Sequence, residues 1–519
     1  MKFTKENLNL ENGLSKEWLI TNGIGGFSSS TIIGANTRKY HGLLIAPLTP
    51  PARRFLILSK LDESLETRGR KYDLYTNVCK EYISHGYNYQ ESFEKAYVPI
   101  FKYKAGGVEI SKIICMEYGK NTVVVYYKIK TGTAKAKLTL APVVNFRDFH
   151  TMNTDHNFDL KQEIKDNKVK MIIDNNAQTP IYMHLSEGKY IEHNNDIFKN
   201  MFYIEEEKRG FYPEENHSVP GVYEVEIPAR QEKEISFICS LENNIEEIDS
   251  KKVISSEIER LEKLFNNSLL IDIRNEKKTK EELENEKLIK TYLLAGDNFI
   301  VNRPSFNLHT IIAGYPWFLD WGRDSLIAFE GLLLIPRRFE IAKEVLLTMV
   351  RDTKFGLVPN GYSGYDNRPL YNSSDASLLL FEQVQKYIDY TGDYKFVKEY
   401  LYDVLENIID SYCGKIDVDE NNIYLDGLIS SGTENTQNTW MDVKYDGKAI
   451  TPRNGKTVEL NAMWYNANMI MMDLTRKMGH FIKANKYKEL AENCKFSFNL
   501  KFYNEETNCL YDVIRRWKD

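Results

Sequence analysis

Near residue 250 the spacing of apolar residues changes period, and no other feature of the sequence constrains the fold as much. Before it, apolar and polar residues alternate from Val98 to Ala141 in short runs closed by turn signals. Val98–Lys104 is followed by Gly106-Gly107, Val108–Met116 by Gly119-Lys120-Asn121, and Thr122–Lys130 by Gly132, and Lys135–Ala141 closes the series. Strands at this spacing are the mark of a meander or sandwich. Thr122–Tyr127 is a β-branched and aromatic run that suits a pleated, half-buried surface. Lys168–Ile173, Ile181–Leu185, Val222–Ile227 and Glu234–Ser240 read as further strands.

After residue 250 the period is helical. Ile254, Ile258, Leu261 and Phe265 fall at i, i+4, i+7 and i+11. The dense charge run Asn275–Lys287 then reads as a solvated linker helix. Further on, Val397, Leu401, Val404 and Ile408 trace one helix face. Gly392 reads as the C′ residue of the preceding helix and Asp393 as the N-cap of this one. Ser374 reads as the cap of the helix carrying Leu378, Phe381, Val384 and Ile388. Seven or eight helical segments fit between Glu281 and Phe502, joined by long loops rich in glycine and aromatic residues. Loops of that length between regular helices are usually functional. The predicted organisation is multidomain, β then α: a β domain over 1–250, a charged helical linker over 251–285 and a helical domain over 286–519.

Charge and cysteine usage narrow the class. Lys plus Arg is 68 against 74 for Asp plus Glu, a net charge of −6 over 519 residues. A nucleic-acid partner would favour a basic footprint, so none is expected. The six cysteines show no C-x-x-C pair, which speaks for reduced thiols and against a zinc site or a disulfide framework. The N-terminus lacks an apolar signal core, and no apolar run approaches the roughly 20 residues of a spanning helix, so a cytoplasmic protein without membrane partners is expected. Aromatics make up 12% of the chain. They serve either as bulky sheet and core residues or as stacking surfaces for sugars, and composition alone does not choose.

Four stretches carry possible chemistry. Thr21-Asn22-Gly23-Ile24-Gly25-Gly26-Phe27 contains GIGG without the nucleotide-binding spacing, and reads as a tight loop leading to Asn36-Thr37-Arg38-Lys39-Tyr40-His41-Gly42. In Ala313–Asp324, Trp317, Asp320, Trp321, Arg323 and Asp324 crowd before a helix starting near Ser325. An Arg–Asp pair on an aromatic floor can fork hydrogen bonds to vicinal hydroxyls while sugar carbons stack, although Asp324 could equally cap the helix. Thr436–Asp442 sets Asp442 beside Trp440. Apolar surroundings disfavour the charged form of a carboxyl, and a carboxylic acid kept protonated is what a glycosidic leaving group needs. An exposed loop carboxylate is the plainer alternative. Glu459 opens an apolar helix after Gly455-Lys456-Thr457-Val458, where a carboxylate also suits the helix dipole. Histidine, serine and cysteine chemistry finds no motif: there is no G-x-S-x-G and no H-E-x-x-H. No metal ligand set and no cofactor are implied.

Together these stretches resemble the archaeal and bacterial glycogen debranching enzymes of the amylo-α-1,6-glucosidase type. EWLITNGIGGFSSSTIIGANTRKYHGLL is similar to that family's N-terminal signature, AGYPWFLDWGRDSLIAFEGLLL to its catalytic signature and NTWMDVKYDGKAITPRNGKTVELNAMWYNA to a third block. The resemblance implies an N-terminal β-sandwich followed by a glucoamylase-like (α/α)6 barrel. It implies glycogen or another branched α-glucan as substrate, with inverting hydrolysis. By it Asp442 is the general acid, Arg323 and Asp324 hold hydroxyls of the terminal glucose, and Trp317, Trp321 and Trp440 line the pocket, with Asp320 and Glu459 as further substrate contacts. Such a barrel needs more helices than the seven or eight read here, and the family's base is expected beyond Tyr511–Asp519. An incomplete barrel, completed by a separate chain, is therefore expected. Two other readings stay open: another glucoamylase-like exo-hydrolase, and a non-catalytic glucan-binding fragment.

Overall fold

The computed structural model describes residues 1–154, 158–173, 179–268, 278–364, 366–414, 422–423 and 426–514. Of the charge run Asn275–Lys287, the first three residues lie outside the described residues, as do Arg515–Asp519 at the chain end. The chain forms two compact units. One comprises Met1–Asn266 with Lys290–Asn302, the other Asn267–Ile289 with Arg303–Asp519. The expected linker 251–285 is thus divided between them.

The first unit is built on two large antiparallel sheets. One has nine strands, in the order Lys2–Thr4, Gln90–Lys95, Pro99–Ala105, Val108–Met116, Thr122–Lys130, Glu232–Ser240, Ile181–Leu185, Lys168–Ile173 and Leu160–Lys165. The other has eight. Its main path runs Lys189–Phe202, Glu214–Ile227, Ala136–Asp148, Ala52–Thr67, Gly42–Thr49, Phe27–Thr31 and Glu17–Thr21, with Arg70–Asp73 paired to Ala52–Thr67. A single apolar core takes Val123, Val125 and Tyr127 from the first sheet and Leu58, Leu138 and Tyr223 from the second. Each such fully buried aliphatic side chain contributes roughly 1.5–3 kcal/mol.

Strand bounds read from alternation hold where turn residues flank them, as at Val108–Met116 and Thr122–Lys130. The strand expected to end at Ala141 instead runs Ala136–Asp148. Pro142 looks like a terminator because it cannot donate to a ladder. Here it pairs with Leu61 on one side and falls at a register shift between Leu140 and Val144 on the other, where the missing donor is tolerated. The Gly23–Gly26 segment is the expected tight loop. Asn22 Oδ1 accepts from the amides of Ile24 (3.2 Å) and Gly26 (2.8 Å). Gly25 sits at φ +96, where a side chain would also strike Pro51.

The helix Ser250–Asn267 belongs, up to Asn266, to the first unit. Val124, between two core-facing residues, points to the outer face of its sheet. There it meets Cys115, Tyr182, Ile238 and Ile245, with Val253 and Ile254 of the helix packed on them. Arg260 then binds Asp297 (Nη2 to Oδ2, 2.5 Å) and Glu257. An amphipathic helix after the last strand covers the sheet's second apolar face, which is why this stretch is not a free linker.

In the second unit the helical runs are Gly322–Leu334, Phe339–Arg351, Asp375–Thr391, Tyr394–Tyr412, Val458–Lys477 and Phe481–Lys501. Lys280–Asp297 precedes them and straddles the division between the units. That makes seven among the described residues, within the expected number. Gly392 ends its helix at φ +68, and the Asp393 side chain accepts from the Phe396 amide, both as expected. The cap of Asp375–Thr391 is corrected: Ser373 Oγ, not Ser374 Oγ, accepts a helix amide, that of Ala376 at 3.2 Å. A π turn at Val397–Leu401 inserts a residue, so the buried face continues at Leu405 rather than at the expected Val404. No helix among the described residues is long and apolar enough to cross a membrane. Of the six cysteines, none disulfide-bonded, three are buried and Cys509 is exposed.

Candidate functional site

Three of the site's carboxylates lie in the first turn of a helix: Asp324 in Gly322–Phe329, Asp375 in Asp375–Thr391 and Glu459 in Val458–Lys477. Orphan amides and the helix dipole favour negative charge there. Asp442 comes from the long segment between the helical run Tyr394–Tyr412 and Val458–Lys477. That loop is pinned at its base. Ser374 Oγ and Ser431 Oγ lie 2.7 Å apart, and Asn438 Nδ2 donates to both, at 3.0 and 2.8 Å. The Ser374 amide donates to the Asn438 carbonyl at 2.8 Å.

Arg323 joins these elements. Its Nε donates to Asp375 Oδ2 (2.7 Å) and its Nη2 to Asp375 Oδ1 (3.1 Å). Nη1 donates to Asp442 Oδ2 (2.9 Å), and Nη2 also to the Thr439 carbonyl (2.9 Å). The guanidinium is nearly buried and Asp375 is buried, whereas Asp442 keeps a third of its side chain exposed. Arg323 was expected to fork onto sugar hydroxyls; its fork is engaged by protein acceptors instead. The carboxyl of Asp442 was expected in apolar surroundings, but it bonds this guanidinium, and Trp440 is 57% exposed.

Asp324 is exposed at its helix start, where its carboxyl accepts from its own amide, and the N-cap residue Trp321 makes no side-chain cap. Desolvation by the protein on its other sides holds its carboxyl above the ordinary value. The charge of Arg323 opposes this, and those of Asp442 and Asp375 add to it. Trp317 and Trp321 are half-buried on the segment leading into the same helix.

Two expected sugar contacts are turned into ion pairs. Both oxygens of buried Asp320 accept from the fully buried Arg303, Nε to Oδ2 and Nη2 to Oδ1, each at 3.1 Å. The Arg303 guanidinium lies against the Phe306 and Tyr362 rings, at 4.9 and 4.7 Å from their centroids. Glu459 accepts from Arg453 through both oxygens, at 2.5 and 2.7 Å. Arg453 also binds Asp512 (2.7 and 2.9 Å) and Thr439 Oγ1 (3.3 Å). Glu459 is thereby tied, through one arginine, to the loop that carries Asp442.

The residues that sequence reasoning missed are Asp375, Arg453 and Asp512. Asp375 sat unremarked behind two serines in a helix start. The available signal was Arg323 itself, since a guanidinium among tryptophans needs carboxylates from elsewhere in the chain.

Comparison with known proteins follows the same two parts of the chain. The family model described as "Glycogen debranching enzyme N terminal" matches residues 16–234, and that described as "Amylo-alpha-1,6-glucosidase" matches residues 294–519. The glycogen debranching enzyme of Saccharomyces cerevisiae is 26% identical over 232 residues, which cover 34% of this chain and 15% of the yeast protein. A bacterial glucoamylase solved in complex with acarbose matches 95% of this chain and 66% of its own, at 13% identity and a TM-score of 0.48. A score under 0.5 does not fix the fold.

Proposed function

The chain belongs to the glycogen debranching enzyme family, and on that premise we propose that it is a glycoside hydrolase releasing glucose from α-1,6 branch points of glycogen-type glucans. The observation that carries this reading is the Arg323 cluster. One arginine binds carboxylates from a second helix start and from a loop, and so gathers acidic groups beside a tryptophan-rich segment.

In this mechanism Asp442 is the general acid, a second carboxylate takes a proton from the attacking water as general base, and hydrolysis inverts the anomeric centre. Arg323 holds Asp442 Oδ2, which fixes the carboxyl plane and leaves Oδ1 to carry the proton to the glycosidic oxygen. Asp375 acts through Arg323 as a positioning residue. Asp324, exposed beside them, accepts from a hydroxyl of the terminal glucose, and Trp317, Trp321 and Trp440 offer ring faces to its carbons. The helical unit is read as part of an (α/α)6 barrel, supported by helices joined through long loops that carry the site residues.

A second reading is favoured by one observation, the raised carboxyl of Asp324. A carboxyl whose charged form the protein disfavours is the better proton donor. In that reading Asp324 is the proton donor. The test is glucose release from a phosphorylase limit dextrin by the wild type, D442N and D324N, each with the separate chain expected to complete the barrel. Release by the wild type, lost in D442N and retained at a reduced level in D324N, is expected. Loss in D324N with turnover kept in D442N moves the acid to Asp324. No release by the wild type overturns the hydrolase reading.

A further inference from the structure

We propose that the first unit carries a glucan-binding surface of its own, formed by His150, Phe211 and Tyr212 around Lys39, with buried Tyr40 beneath; the inference rests on the glucan-hydrolase reading above. The Asn36–Gly42 motif that contributes Lys39 and Tyr40 takes no part in the Arg323 cluster.

Lys39 organises the surface. Its Nζ donates to the His150 carbonyl at 2.6 Å and lies 5.3 Å from the Tyr40 ring centroid and 5.6 Å from that of Phe211. Tyr40 Oη and His150 Nδ1 are 3.2 Å apart, and the Tyr40 ring meets Phe149 edge-on at 5.7 Å. Phe211 and Tyr212 are 52% and 57% exposed. They occupy a turn between Gly210, at φ +78, and Pro213, whose carbonyl accepts from the Tyr203 amide at 2.8 Å.

Beneath the surface lies a buried polar network. Arg147 and Glu215 form an ion pair in which Nη2 reaches Oε2 at 2.8 Å, and the Tyr203 hydroxyl donates to the same oxygen at 2.5 Å. A buried ion pair is commonly no more stabilising than apolar filling, so its stability contribution does not explain its presence. What it does is hold backbone. Arg147 donates to the carbonyls of Lys39 (2.7 Å) and Asp148 (3.2 Å), and Glu215 accepts from the Asn153 amide (2.9 Å). Tyr203 links the network to the Phe211–Tyr212 turn. The segments that present the ring faces are therefore fixed from below, and a fixed aromatic surface binds with little ordering cost.

The chemistry suits a neutral polyol with apolar ring faces. Exposed aromatic rings stack on pyranose carbons, while the His150, Tyr212 and Lys39 side chains can hydrogen-bond hydroxyls. Two of the cations nearby are already matched: Arg209 Nη1 is 3.2 Å from Glu206 Oε2, and Arg147 is paired with Glu215.

The test is electrophoresis of the folded chain through native gels containing glycogen, with calorimetric titration of maltoheptaose. The wild type is compared with F211A/Y212A and F211W/Y212W, and thermal unfolding checks that each variant folds. The alanine pair is expected to weaken binding about tenfold, as loss of two stacking rings implies, and the tryptophan pair to retain it. Equal affinity of the wild type and the alanine pair overturns the proposal, as does a wild type that binds neither probe. Glycogen binding that the alanine pair loses, in a chain that releases no glucose, supports this surface while the hydrolase reading falls.

Discussion

Asp375 grips Arg323 with both carboxylate oxygens, from 52 residues further along the chain, and the remaining arm of the same guanidinium reaches Asp442, 119 residues away. Asp375 is buried, and this guanidinium compensates its charge together with the Ser373 hydroxyl and the helix start. Arg323 in turn gains the orientation that brings Nη1 to Asp442.

Removing that charge should disturb both stability and the site. In D375N the guanidinium keeps Asp442 and the Thr439 carbonyl, so we expect the low end of the 3–5 kcal/mol typical for a broken buried pair, about 3 kcal/mol. Urea unfolding of the variant measures it. R323K should behave similarly, because an ammonium cannot make the two parallel bonds.

The two candidate acids separate by kinetics. D442N should lower glucose release by roughly 10²–10⁴-fold while dextrin binding is retained. If Asp324 were the donor, activity would require its protonated form and would fall as pH rises through its raised value. D324N would then lose most of the activity, whereas it would keep a reduced rate with Asp442 as the donor. A pH profile of kcat/KM for the wild type and both variants decides between them.

The first unit should lose stability in mild acid. Burial holds His217 at a pKa of about 4, against an ordinary 6.5, with the Glu215 charge opposing. The folded state thus prefers neutral His217, and the unfolded state binds the extra proton. Stability is full above pH 6.5 and declines towards pH 4, by about 3 kcal/mol for a shift of this size. Urea midpoints between pH 7 and 4 should show the decline in the wild type and a flatter curve in H217Q.

The helix Phe481–Lys501 turns apolar side chains to water. Ile482, Phe496 and Leu500 are 90%, 72% and 69% exposed. At 100° per residue they fall within about 40° of one line along the helix. Exposed apolar faces drive association. Light scattering should show concentration-dependent self-association of the chain, reduced in I482K/F496K. A monodisperse wild type at high concentration would contradict this.

The sequence alone determined what depends on near neighbours. The change from period two to helical period is a local property, so the β-then-α order, strands such as Thr122–Lys130 and the Gly392–Asp393 helix boundary could be read directly. Long motif blocks likewise marked Arg323, Asp324 and Asp442 as one family's residues. Tertiary structure alone decided which groups meet. Asp320 went to Arg303, Glu459 to Arg453 and Arg323 to Asp375, partners 17, 6 and 52 residues apart, and no common spacing rule connects them. It also decided that Val253 and Ile254 cover the outer sheet face and that a π turn moves burial from Val404 to Leu405. The physical reason is common to all of these. A buried charge or apolar face is satisfied by whatever packing brings within a few ångströms, and that distance is set by the fold rather than by position along the chain.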